Sequence, residues 1–128
     1  MTAKEYKQKT APSEDVEQMQ VLNYCRMMSG AHPELELVYH IPNEGKRSKT
    51  AAAVQMRIGL KAGVPDLCLP VARQGFHGLY IEMKSLTGRL SAKQRNWLDR
   101  LAEQGYKTAV CYGAEEAIAV IADYIKRT

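Results

Sequence analysis

The sequence predicts an α/β fold: a mixed sheet of about four strands flanked by helices, in the order α-β-α-β-β-α-β-α. Three observations carry this. Residues 63–69 and 79–84 are short apolar runs rich in β-branched or aromatic side chains, and the turn-forming residues 73–78 separate them. Helix-start and helix-stop signals bracket longer stretches with apolar residues at helical spacing. The path from residues 79–84 through a strong helix to residues 106–112 is a β-α-β unit, parallel and right-handed by default. At 128 residues the chain suits one core and is too short for two.

The elements follow in order. Residues 1–12 are polar and lysine-rich and are expected to form a flexible arm, leaving residues 13–128 as the domain. Ser13 is a helix N-cap, with Glu14, Asp15 and Glu17 in the first turn, where the helix dipole favours anions. That helix runs through Val16, Met19, Leu22, Tyr24 and Cys25 to about Met28 and stops at Ser29-Gly30. Glu14 and Gln18 lie one turn apart, in line with Leu22 and Cys25, which should face the core. Residues 35–41 alternate and predict a strand with Leu35, Leu37, Tyr39 and Ile41 on one face, ended by Pro42. A basic loop over residues 43–49 leads into a helix over about 48–62. After the hairpin, Thr87-Gly88 turns the chain and Ser91-x-x-Gln94 is a capping box. The helix it starts passes Trp97, Leu98 and Leu101 to Gln104, and Gly105 stops it. Residues 106–112 form the last strand. Residues 114–125 form an amphipathic helix with Ile118, Ile121, Tyr124 and Ile125 on its apolar side.

The hairpin carries the chemistry. In residues 79–84, Tyr80, Glu82 and Lys84 share one face and Leu79, Ile81 and Met83 the other. A carboxylate and an ammonium on a buried sheet face are costly unless they are paired or used. An antiparallel hairpin brings Asp66 beside them. The patch then offers two carboxylates for a hard cation and a lysine to steady a water or a developing charge. Taken alone, Pro-Asp and Glu-x-Lys are common, and a solvated strand face explains them equally simply. Two residues have double readings. Glu14 either answers the helix dipole or reaches the patch from the side. Gln94 either completes the capping box or extends its amide to Glu82 and Lys84.

Composition narrows the class. Hydrophobic residues at 45% and charged residues at 25% are ordinary for a soluble globular protein. No apolar run approaches the ~20 residues of a membrane helix, and the N-terminus has no apolar signal segment. Cys25, Cys68 and Cys111 are widely spaced and odd in number, which fits free thiols in a reducing, cytoplasmic setting. His32, His40 and His77 lack ligand spacing, which disfavours zinc and a ββα-type histidine nuclease; His40 is at most a secondary contact. No glycine-rich phosphate loop is present, so no nucleotide cofactor is expected. The net charge of +4 suits a polyanionic partner without requiring one.

Five motifs stand in order: Ser13-Glu14…Gln18, His40-Ile41-Pro42-Asn43, Gly63-Val64-Pro65-Asp66, Glu82-Met83-Lys84 and Ser91-x-x-Gln94. Together they resemble a VRR-NUC domain of the PD-(D/E)xK nuclease superfamily, of the small stand-alone phage and bacterial type, over about residues 13–128. The resemblance implies a restriction-endonuclease-like core and a Mg²⁺- or Mn²⁺-dependent endonuclease acting on branched DNA such as four-way (Holliday) junctions. It implies Asp66 and Glu82 as metal ligands, with the Met83 carbonyl, and Lys84 as the residue that orients the attacking water. Glu14 resembles the helix-borne acid, with Glu17 as the fallback one turn on, and Gln94 the polar residue beside the catalytic lysine. Lys46, Arg47, Lys49, Arg57, Lys61, Arg89, Lys93 and Arg95 are the expected phosphate contacts. A symmetric junction implies a homodimer. The alternatives are a branched-DNA-binding module of the same fold that does not cut, and a small α/β protein with a structural acidic patch.

Overall fold

The computed structural model describes residues 13–42 and 48–128. The expected arm at residues 1–12, and Asn43, Lys46 and Arg47, lie outside the described residues. Helix α1 spans Glu14–Met28. Its Ser13 cap accepts the Val16 N–H, satisfying one of the donors a helix start leaves open. Helix α2 spans Lys49–Arg57, capped by Ser48, and buries none of its side chains. Strand β1 is Tyr39–His40, β2 is Leu67–Leu69 and β3 is Leu79–Lys84. Helix α3, Ala92–Glu103, leads to β4, Lys107–Tyr112, and α4, Ala114–Ile125, follows.

The four strands form one mixed sheet in the order β1-β2-β3-β4. β1 pairs antiparallel with β2, and β2 with β3, with Leu67 opposite Ile81. β3 and β4 run parallel, as the β-α-β rule requires. Helices α1 and α4 pack on one face of β3, and α3 packs against β4. The core lies between the sheet and the α1–α4 pair. Leu79, Ile81 and Met83 meet Val21 and Cys25 of α1 and Ala117, Ile121 and Tyr124 of α4 there. The Tyr124 hydroxyl donates to the Val71 carbonyl at 2.6 Å, tying the end of α4 to the loop after β2.

Two expectations are corrected. Residues 35–41 are not one strand: Pro33–Leu37 is a 3₁₀ turn, and only Tyr39–His40 pairs in the sheet. Pro33 sits in its first turn, where its fixed φ suits a helical start, and Leu35 N–H bonds back to His32. Leu35 is therefore buried and Leu37 exposed, where alternation put both on one face. The second helix ends at Arg57 rather than near Ala62, because Gly59 at φ 118 leaves helical space.

Candidate active site

The period-two alternation of β3 turns Tyr80, Glu82 and Lys84 away from the main core, toward the side where α3 lies. Glu82 and Lys84 are only 3% and 8% exposed, which is unusual for charged side chains and demands partners. Lys84 Nζ lies 3.6 Å from Glu82 Oε1. Gln94 Nε2 donates to the same oxygen at 3.1 Å. The other oxygen, Glu82 Oε2, is buried and has no hydrogen-bond partner. Asp66, just before β2, accepts the Met83 N–H on Oδ2 at 2.7 Å, and its carbonyl accepts the Ile41 N–H at 2.8 Å. Asp66 is thus held on both sides by the strands flanking β2.

Electrostatics follow from this burial. The Glu82 carboxyl is pushed up to about 8, first by burial and next by the negative charge of Asp66, with Lys84 pulling the other way. Asp66 is also raised, mainly by burial, against the pull of the Met83 N–H. Two carboxylates in so dry a place cannot both ionise cheaply without a cation. Among the described residues no group of three His, Cys, Asp or Glu side chains converges. A thiolate- or imidazole-rich zinc site is not built here, whereas Mg²⁺ or Mn²⁺ suits one or two carboxylates completed by carbonyls and waters. The unpartnered Glu82 oxygen beside Asp66 fits such an ion.

The α1 acids separate cleanly. Glu14 Oε1 accepts the Ser85 N–H at 3.3 Å, one residue past Lys84. Glu17 instead accepts the Ala114 N–H at the start of α4. There Gly113 offers no capping side chain, so Glu17 supplies the cap from another helix. Replacing Glu17 with Ala is expected to cost about 1 kcal/mol, a drop of roughly 3–5 °C in Tm. Thermal melts indistinguishable from wild type would remove that role.

Gln18 and His40 also meet: His40 Nδ1 is 3.0 Å from Gln18 Nε2 and 3.1 Å from the Asp66 carbonyl. The ring nitrogen serves one of these at a time, accepting from the amide or donating to the carbonyl according to its tautomer. Lys49, Arg57, Lys61, Arg89, Lys93 and Arg95 are all exposed. Lys49 and Arg57 mark the two ends of α2.

Two contacts were not read from the sequence. The Trp97 indole N–H donates to the Ala62 carbonyl at 3.0 Å. Gly63, at φ 88, lies so close to α3 that a Cβ there would stand 2.8 Å from the Lys93 carbonyl carbon. Only a glycine fits both the angle and the approach. A lone tryptophan in the helix and a glycine three residues ahead of Asp66 were the available signals.

A family model described as "VRR-NUC domain" matches residues 4–115. A solved structure named "VRR_NUC domain protein" is similar to this chain at 33% identity and a TM-score of 0.78, covering 91% of each. Comparison with curated proteins returns no match.

Proposed function

The chain belongs to the VRR-NUC family of nuclease-type domains, and from that premise we propose that it is a Mg²⁺- or Mn²⁺-dependent endonuclease for branched DNA. The observation that carries the metal-dependent part is the buried, unpartnered Glu82 oxygen in a patch shared with Asp66 and Lys84. Asp66 and Glu82, with the Met83 carbonyl, would hold the cation. When bound, that cation supplies a Lewis acid that neutralises phosphate charge and lowers the pKa of water.

Gln94 fixes one Glu82 oxygen and leaves the other free for a ligand. The Met83 N–H holds the Asp66 carboxylate in place. Lys84, buried beside Glu82, orients the attacking water and offsets charge that develops on the phosphate. Glu14, whose Oε1 accepts the Ser85 N–H just past β3, would steady further waters. The exposed cations on and after α2 and at the start of α3 supply phosphate contacts that position DNA without reading its sequence.

Branched DNA and a homodimer belong together in this reading. A four-way junction has two equivalent cutting points, and an isologous dimer would bring two matched active sites to them. The test is cleavage of labelled four-way-junction, flap and linear duplex DNA in Mg²⁺, Mn²⁺ or EDTA, with the oligomeric state followed by sedimentation. Paired, metal-dependent nicks in the junction by a dimer are expected. Equal cutting of all three substrates would remove the junction preference. Tight junction binding with no cutting in either metal would replace the enzyme with a non-cleaving module of the same fold.

A further inference from the structure

Asp66 reaches the site at the end of a long connection, residues 41–66, between β1 and β2. The helix within it, α2, buries no side chain and so gives this connection little hold on the body of the protein. Its firm contacts with the body, among the described residues, come just ahead of Asp66. Trp97 Nε1 holds the Ala62 carbonyl at 3.0 Å, and Gly63 lies against the α3 backbone at Lys93. The same helix reaches Glu82, because Gln94 Nε2 donates to Glu82 Oε1 at 3.1 Å. One helix therefore touches both segments that bring the carboxylates together. Lys93, Gln94 and Trp97 lie within about one turn of it.

We propose that Trp97 and Gly63 clamp the Asp66-bearing segment onto α3, which makes Trp97 a positioning residue for the carboxylate pair. The proposal rests on the metal-binding reading above for its consequence, though not for its geometry. The clamp acts with the Met83 and Ile41 N–H groups that bond Asp66 itself, fixing the chain that enters the site, and an error of about 1 Å in such a constellation costs on the order of a hundredfold in rate. Trp97 also lines an open groove of about 510 Å³ with Lys61, Asn96 and Arg100. A phosphate backbone drawn to Lys61 and Arg100 would then lie against the clamp itself.

The test uses Trp97→Phe, which keeps a ring and removes the N–H, beside Gly63→Ala and wild type. Its readout needs neither metal nor DNA: hydrogen exchange of the Met83 amide, whose partner is Asp66 Oδ2. In both variants that amide is expected to exchange at least about tenfold faster, while the amides of α4 keep their wild-type protection. Mn²⁺ affinity, measured by calorimetry, should fall about tenfold, as it does when an outer-shell support is lost. Unchanged Met83 exchange in both variants overturns the clamp. So does an equal rise at α4, which marks general destabilisation. Should wild type bind no Mn²⁺ and cut no DNA, the nuclease reading falls, and Met83 exchange still decides the clamp.

Discussion

Asp66→Asn is expected to lower the proposed metal-dependent DNA cleavage by roughly a thousandfold or more, beyond the 10–100-fold that an outer-shell loss costs. The substitution is chosen for what it leaves intact. Asn retains a side-chain carbonyl that can accept the Met83 N–H, so the segment stays docked while its charge disappears. The loss of activity then reports the missing anionic ligand rather than a misplaced strand. Because the Asp66 charge helps raise Glu82, the same change should bring the Glu82 carboxyl back down toward its ordinary value. Single-turnover cleavage of junction DNA with Mn²⁺ titration is the measurement. Activity within tenfold of wild type would remove Asp66 from the metal site.

The second large effect is a pH dependence of stability centred on Glu82. Its carboxyl in the fold titrates near 8, above the ordinary 4.5. Across that interval the folded protein holds a proton that the unfolded chain has released, so stability falls as pH rises. The contribution is complete below about 4.5 and is lost as pH passes through 8. Metal-free wild type should therefore melt lower at pH 9 than at pH 6, and Glu82→Gln should flatten that decline. The variant is expected to melt roughly 5 °C or more above wild type at pH 9. Mg²⁺ should restore wild type at alkaline pH, since it binds the ionised carboxylates of the folded protein. Parallel melting profiles for the two proteins from pH 6 to 9 would contradict this account.

How much of this was legible follows from how local each feature is. The two faces of β3 could be read because strand alternation depends only on neighbours along the chain. The capping box at Ser91 was equally local. Gln94 shows where local reading offers a false choice. Its Oε1 accepts the Ser91 N–H at 2.9 Å while its Nε2 donates to Glu82. The amide has two ends, so the structural and the site readings hold together. The acids of α1 could not be sorted from sequence, because Glu14 and Glu17 share one helix turn and differ only in which distant backbone N–H each meets. The 3₁₀ turn at Pro33 is hidden in the sequence because Leu-Glu-Leu alternates whatever the backbone does. The Trp97 and Gly63 contacts join residues about thirty positions apart, and no periodicity encodes them.

Neighbouring antiparallel strands such as β1 and β2 can be joined by a two-residue turn, yet here residues 41–66 make the link. Among the described residues, the helix of that excursion contributes no buried side chain to the packing of the sheet. It is therefore, among the described residues, a stretch open to exchange. On the nuclease reading proposed above, shortening, lengthening or regrafting the α2 stretch ahead of Ala62 is expected to alter which DNA shapes fit against the protein while the carboxylate patch stays as it is. The carboxylate patch and the α2 excursion are thus separable pieces of one chain, with the docking point on α3 as the seam between them.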